Sequence, residues 1–174
     1  FNNLVKMNRS MEIQKDLAES WENPDALTWV FRLKKGVTFH NGEELTAGDV
    51  KFSLERVLDP KNASPGARLV SEVQKVEVVD RYTLKIRLKS PDYRFAYVLA
   101  VPNMGAVARE VVEAYGRDIG AHPVGTGPYR LAEYKRSSRF VLEANPGFRR
   151  VSYVPVGPVP AASQQVAAAL KDKR

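Results

Sequence analysis

Trp29-Val-Phe-Arg-Leu-Lys-Lys-Gly-Val-Thr-Phe-His-Asn-Gly42, running on into Leu45-Thr-Ala-Gly-Asp-Val-Lys-Phe-Ser53, carries a strand, a turn and a helix start in succession. From Thr28 to Lys34 the chain alternates, with Trp29, Phe31 and Leu33 on one face and Thr28, Val30, Arg32 and Lys34 on the other. That period of two marks a half-buried strand. Asn41-Gly42 reads as a turn, because both residues tolerate positive φ. Thr46 and Asp49 then stand at the N-cap and N3 positions of a helix, Asp49 replacing the usual Glu of a capping box. Val50, Leu54, Val57 and Leu58 recur at three and four residues and form an apolar stripe. Asp59-Pro60 closes the helix, since Pro disfavours helical geometry in the residue before it.

Outward from this segment, Asn62-Ala-Ser-Pro-Gly66 reads as a loop. Val76 to Leu88 reads as a hairpin turning at Asp80-Arg81, with Leu84, Ile86 and Leu88 alternating with Lys85 and Arg87. A strand-like apolar run covers Tyr97 to Val101. A second helix is expected through Val107, Ala108, Val111, Val112 and Tyr115, ending at Gly116, a natural C′ residue. Tyr129 to Tyr134 and Arg139 to Glu143 form another hairpin across Lys135-Arg-Ser-Ser138. A strand at Val151 to Val154 and an Ala-rich helix from about Ala161 to Leu170 complete the reading. Mixed strands and helices argue an α/β or α+β fold, without repeats or low-complexity linkers.

At 174 residues, with 44% hydrophobic residues and charges mixed through the sequence, the chain suits one folded domain. It has no cysteine, which excludes disulfides, thiolate metal sites and cysteine nucleophiles. The opening Phe1-Asn-Asn-Leu-Val has no signal-peptide pattern, and the uncharged run Val151 to Leu170 is broken by Pro155, Pro158 and Pro160, unlike a membrane span. Twenty-seven basic against twenty acidic residues give +7. One reading of that balance is a basic interaction domain binding nucleic acid or an anionic surface. The cations are dispersed (Lys34, Lys35, Lys85, Arg87, Lys135, Arg136, Arg139, Arg149, Arg150), and no clustered basic face with interleaved aromatics is visible, so spread surface charge is the preferred reading.

The central segment, together with Asp16-Leu-Ala-Glu-Ser-Trp-Glu22 before it and Pro123-Val-Gly-Thr-Gly-Pro-Tyr129 after it, resembles the extracellular solute-binding proteins of the oligopeptide and dipeptide class, family 5, in order, spacing and residue type. Asn145-Pro-Gly-Phe148 looks like that family's Asn-Pro-x-aromatic element, with Val151-Ser-Tyr-Val-Pro155 as the following strand. The resemblance implies a periplasmic-binding-protein type II-like fold in which residues 1–174 form part of lobe I only, lacking the family's opening strand and its second lobe. It implies an exported protein, periplasmic or at the cell surface, whose leader is not in this chain. Its partners would be a peptide or other small solute, ABC permease subunits and the second lobe of the same protein. No nucleic acid is implied, and membrane contact would come only through the permease or a removed lipid anchor. Two-lobed receptors trap ligand by closing both halves on it, so one lobe alone is expected to show no measurable peptide affinity.

Within this frame Ser64, Pro65 and Gly66 are candidates for the cleft rim, because a residue after Ser-Pro in peptide-binding relatives can face ligand and is often aromatic. Here it is Gly66, and an ordinary turn is the competing reading. Asn103, Met104 and Gly105 would sit at a strand end opening toward the cleft, the usual place for ligands in open α/β sheets. Met104 could equally be core filler. Gly125, Thr126, Gly127 and Pro128 superficially suggest a phosphate loop but lack its lysine and spacing. The resemblance puts them near the hinge, in a structural role: glycines for close backbone approach and Pro128 to stiffen the next strand. Trp21 and Trp29 are assigned to the core. His40 and His122 have no spaced cluster of further ligands, so neither a metal nor another cofactor is expected. No nucleophile motif or oriented base is recognisable, so no catalytic residue is assigned and the chain is read as a non-enzyme.

Overall fold

The computed structural model describes residues 1–149 and 161–170. The central motif builds a four-stranded antiparallel sheet in the order β3-β4-β6-β5, from β3 (Ala18–Asp25), β4 (Thr28–Leu33), β5 (Val73–Asp80) and β6 (Thr83–Leu88). Alternation in β4 places Trp29, Phe31 and Leu33 inside, and Leu84, Ile86 and Leu88 join them from β6 across the registered pairs Trp29–Ile86 and Phe31–Leu84. Thr28, on the polar face, is nevertheless buried. It is enclosed where the β3–β4 turn folds over, with Asn23 Nδ2 donating to the Thr28 carbonyl at 2.8 Å. Trp29 packs against Phe31 and against Phe95, with ring centroids 6.2 and 5.9 Å apart. Trp21 is half-buried against the same core.

Helix α1 (Ala47–Leu58) covers this sheet. Its start is fixed locally: the Asp49 carboxylate accepts from the Thr46 N–H at 2.9 Å and from the Thr46 hydroxyl at 2.7 Å. Val50, Leu54 and Val57 are buried, and Leu58 packs at the margin of the core. Asp59 turns extended and ends the helix, as the following Pro60 requires. Gly42 takes φ +93°, a conformation that glycine reaches without a Cβ clash.

Other elements differ from the sequence expectations. The run Tyr97–Val101 is not a strand: α2 (Phe95–Leu99) is a short helix that buries Phe95, Ala96 and Leu99, followed by a single 3₁₀ turn at Pro102–Met104. Five residues are too few to display a helical period, so apolar content alone misled. Helix α3 (Arg109–Tyr115) begins after Ala108, not at Val107. Val107 is held out of it because its N–H donates to the Ser53 Oγ of α1 at 3.0 Å. Gly116 ends α3 with φ +53°. Three early strands left no clear signal: β1 (Val5–Met7), β2 (Ile13–Lys15), which pair with each other, and β3. The second hairpin forms as expected from β7 (Tyr129–Lys135) and β8 (Arg139–Ala144). A 3₁₀ turn at Ala161–Ser163 leads into α4 (Gln164–Leu170). The expected strand at Val151 to Val154 lies outside the described residues. Among those described, no helix is long and apolar enough to cross a membrane.

Candidate functional site

The two candidate rim segments, thirty-odd residues apart in sequence, meet in space. Gly66 is buried, and a Cβ built on it would fall 2.9 Å from Met104 Cε and 3.1 Å from Asn103 Cβ. A side chain at 66 would press on the movable end of Met104 and crowd Asn103 Cβ, so glycine eases this approach of two loops, and residue 66 packs inward rather than presenting a surface. Ser64 shapes the turn, its Oγ accepting from the Gly66 N–H at 3.3 Å. Pro65 and Asn103 are exposed, Ser64 and Gly105 half-exposed. Met104 is only 5% exposed and belongs to the core, so the core-filler reading holds for it. The crevice at a strand end is replaced by a helix followed by a 3₁₀ turn.

The glycine segment lies beside this pair. Gly125, Thr126 and Gly127 are buried, whereas Pro128 is exposed. A Cβ on Gly125 would fall 2.8 Å from the Phe1 ring, and one on Gly105 would fall 3.0 Å from Phe1 Cβ. Phe1 thus lies against both segments. His40 holds the other side. Its N–H donates to the Gly125 carbonyl at 2.8 Å, its Nδ1 accepts from the Gly125 N–H at 3.3 Å, and its Nε2 lies 3.0 Å from the Gly127 carbonyl. These partners select the neutral ring with its proton on Nε2. Burial lowers the His40 pKa below its ordinary value, against the opposing pull of the Gly127 carbonyl. Asn145 Nδ2 also donates to the Gly127 carbonyl at 3.0 Å, which ties the Asn-Pro-Gly-Phe element to the same segment.

A polar network extends from Thr126. Its hydroxyl donates to Asn2 Oδ1 at 3.1 Å, and Asn2 Nδ2 donates to both Asp16 oxygens, at 3.2 and 3.0 Å. Arg149 pairs with Asp16 and reaches Asn2 Oδ1 at 3.4 Å. Asp16 is 6% exposed and the Arg149 side chain 21%. A buried carboxylate is tolerable here because a guanidinium and two amide donors satisfy it. Sequence reasoning missed Asn2, Asp16, His40 and Arg149 as members of one assembly. Asp16 opens a motif that was noticed, but its partners stand up to 133 residues away, and spacing carries no trace of them. His122, the other histidine, stacks on Tyr115 at 3.8 Å between centroids, remote in role from His40.

The dispersed cations are not all dispersed in space. Lys6, Lys15, Lys34, Lys35 and Arg149 line one open basin of about 600 Å³ together with Asp16, Glu19, Gly36 and Val37. Among the described residues, no group of three His, Asp or Glu side chains converges as a metal site would require.

Residues 12–173 match the family model described as bacterial extracellular solute-binding proteins, family 5 Middle. The chain is similar to the glutathione-binding protein GsiB of Escherichia coli O6:K15:H31, at 33% identity over 165 residues, covering 91% of this chain and 32% of that protein. Its fold is similar to that of AgaA from A. tumefacien R10, solved with agropinic acid, with a TM-score of 0.80 and 32% identity over 86% of this chain and 30% of that one. It is also similar to Haemophilus influenzae OppA solved with the peptide RPPGFSPFR, with a TM-score of 0.76 and 30% identity over 84% and 33% of the two chains. The chain spans about a third of the length of the curated relatives it matches. A match over residues 12–173 means that the chain belongs to the bacterial extracellular solute-binding proteins of family 5.

Proposed function

We propose that this chain is the first-lobe portion of a receptor that captures a small solute, a peptide in our reading, outside the cytoplasm and presents it to an ABC permease. The observation that carries the proposal is the likeness to GsiB over 91% of the chain. A relative named for binding glutathione and a neighbour solved with a nonapeptide-sized ligand both favour peptides. In this reading Ser64, Pro65, Asn103 and Gly105 form the lobe's share of the cleft rim. Gly66 and Met104 support them from below. Gly125 to Pro128 is a structural crossing near the hinge. The lobe supplies binding and no bond chemistry, and ATP is hydrolysed by other subunits.

Contacts from both lobes are needed to close on a ligand, so most affinity belongs to the two-lobed polypeptide. The test is calorimetry on that longer polypeptide with tri- to nonapeptides, agropinic acid and the nickel–histidine complex. Saturable binding of peptides, with none by this 174-residue chain alone, is the expected result. Micromolar peptide binding by the chain alone overturns the requirement for both lobes, and preference for a non-peptide solute overturns the peptide reading. The alternative of a basic domain for nucleic acid has weaker support, since among the described residues no aromatic side chain lines the cationic basin on which bases could stack.

A further inference from the structure

The basin beside the Asp16–Arg149 pair gathers five cations from four places in the sequence. Lys6 comes from β1, Lys15 from β2, Lys34 and Lys35 from the end of β4, and Arg149 from the segment after β8. Two carboxylates share the basin, but one is already consumed. Asp16 is engaged by Arg149, by Asn2 Nδ2 and by the Asn3 N–H, which among the described residues leaves exposed Glu19 as the remaining counter-charge. Among the described residues none of the four lysines forms an ion pair.

The cations lie close enough to repel one another. Burial lowers the Lys34 pKa first, and Arg149, Lys6 and Lys15 add repulsion beyond what Asp16 offsets. Such unrelieved like charge in a concave site costs stability unless an anion neutralises it. The concavity distinguishes it from a solvated lysine face. Half-buried Lys34 and the largely buried Arg149 form its inner part, with exposed Lys6, Lys15 and Lys35 around them.

We infer that this basin is a binding site for a small polyanion carrying phosphate or carboxylate groups, separate from the rim at Ser64–Gly66 and Asn103–Gly105, with which it shares no lining residue. The lysines act as rotatable point charges around the anion. Arg149, whose guanidinium is committed to Asp16, sets the field at the inner wall. A volume of about 600 Å³ admits an anion of several charged groups with part of its hydration shell.

The test is titration of the full chain with inorganic pyrophosphate and with citrate, followed by calorimetry and by NMR of the lysine side chains. Expected is saturation at one equivalent by at least one probe, with shifts centred on Lys6, Lys15, Lys34 and Lys35. Pyrophosphate preference would assign phosphate, and citrate preference carboxylate. Lys15→Gln combined with Lys34→Gln should weaken binding about tenfold, and higher salt should weaken it further. Arg130→Gln, which removes a cation outside the basin, should leave it unchanged. Shifts spread without saturation over all lysines would overturn the site, as would affinity retained in the double variant. So would binding to phosphatidylglycerol vesicles that pyrophosphate does not compete away. Were the double variant to misfold, the NMR footprint on the unaltered chain decides alone.

Discussion

The sheet beneath α1 and the crossing at Gly125–Gly127 are held together by opposite means. Under α1, Phe31, Leu33, Leu54, Leu84, Ile86 and Leu88 are at most 2% exposed, and the attraction is non-directional burial of apolar area. At the crossing, Asn2, Asp16, His40, Thr126, Asn145 and Arg149 meet through directed hydrogen bonds and one ion pair. The first arrangement is insensitive to pH and salt and tolerates hydrophobic replacement of like volume. The second depends on every partner being present, because an unmade bond leaves a desolvated polar group behind. A region where distant chain segments must meet is better built in the second way, since its alignment is specified by geometry. The β7–β8 hairpin next to it adds little apolar anchoring, with Tyr129, Phe140 and Leu142 about half exposed or more.

The largest effect should come from the apolar half. Phe31 is 0% exposed and stacks beside Trp29, so Phe31→Ala removes a large side chain from a site that cannot collapse freely. A loss of about 3–5 kcal/mol in urea unfolding is expected. If Phe31→Leu costs as much as Phe31→Ala, the apolar half is as geometrically demanding as the crossing, and the contrast fails.

Asp16→Asn should cost less, about 2–3 kcal/mol, because Arg149 retains some solvent contact. The substitution keeps the shape but leaves the guanidinium unpaired in a cationic basin. Its cost should therefore shrink as salt is raised, whereas the Phe31→Ala cost should not. Equal salt response of the two variants would break the distinction between the regions.

The same contrast explains what was legible beforehand. The alternation of Trp29, Phe31 and Leu33 and the pairing of Thr46 with Asp49 are local patterns, written within a few residues, and the structure contains both. The family and the mixed α/β architecture followed from that stretch and its neighbours. The candidate rim was legible only as two loops. That Gly66 and Met104 bury one another depends on how α1 and the turn after α2 approach, which no short window records. The crossing was less legible still. Gly125-Thr-Gly127 could be seen, but His40, Asn2 and Arg149 touch that assembly from remote positions, and polar residues have no period that marks a distant partner. The basic basin was not legible for the same reason: charges dispersed in sequence converge in space.

The smallest effect, and the one most specific to the crossing, is a pH dependence through His40. In the folded chain its Nδ1 must accept from the Gly125 N–H, and burial lowers its pKa below the ordinary value. The unfolded chain, whose His40 titrates near the ordinary histidine value of 6.5, therefore binds more protons as the pH falls below that point. Stability contributed by neutral His40 is fully present above this value and declines as the pH falls through it toward the folded pKa. The direction is opposite to that of a histidine paired with a carboxylate, which would gain stability in the same window. Protonation places a second donor against the Gly125 N–H, so the strain falls on the crossing and leaves the sheet untouched. Urea midpoints measured from pH 8 to pH 5 should fall for the unaltered chain and fall less for His40→Asn, while Phe31→Ala keeps the full slope from a lower starting point. A slope unchanged in His40→Asn would mean that the histidine does not carry the proton linkage, and the pH response of the crossing would then have to come from another of its groups.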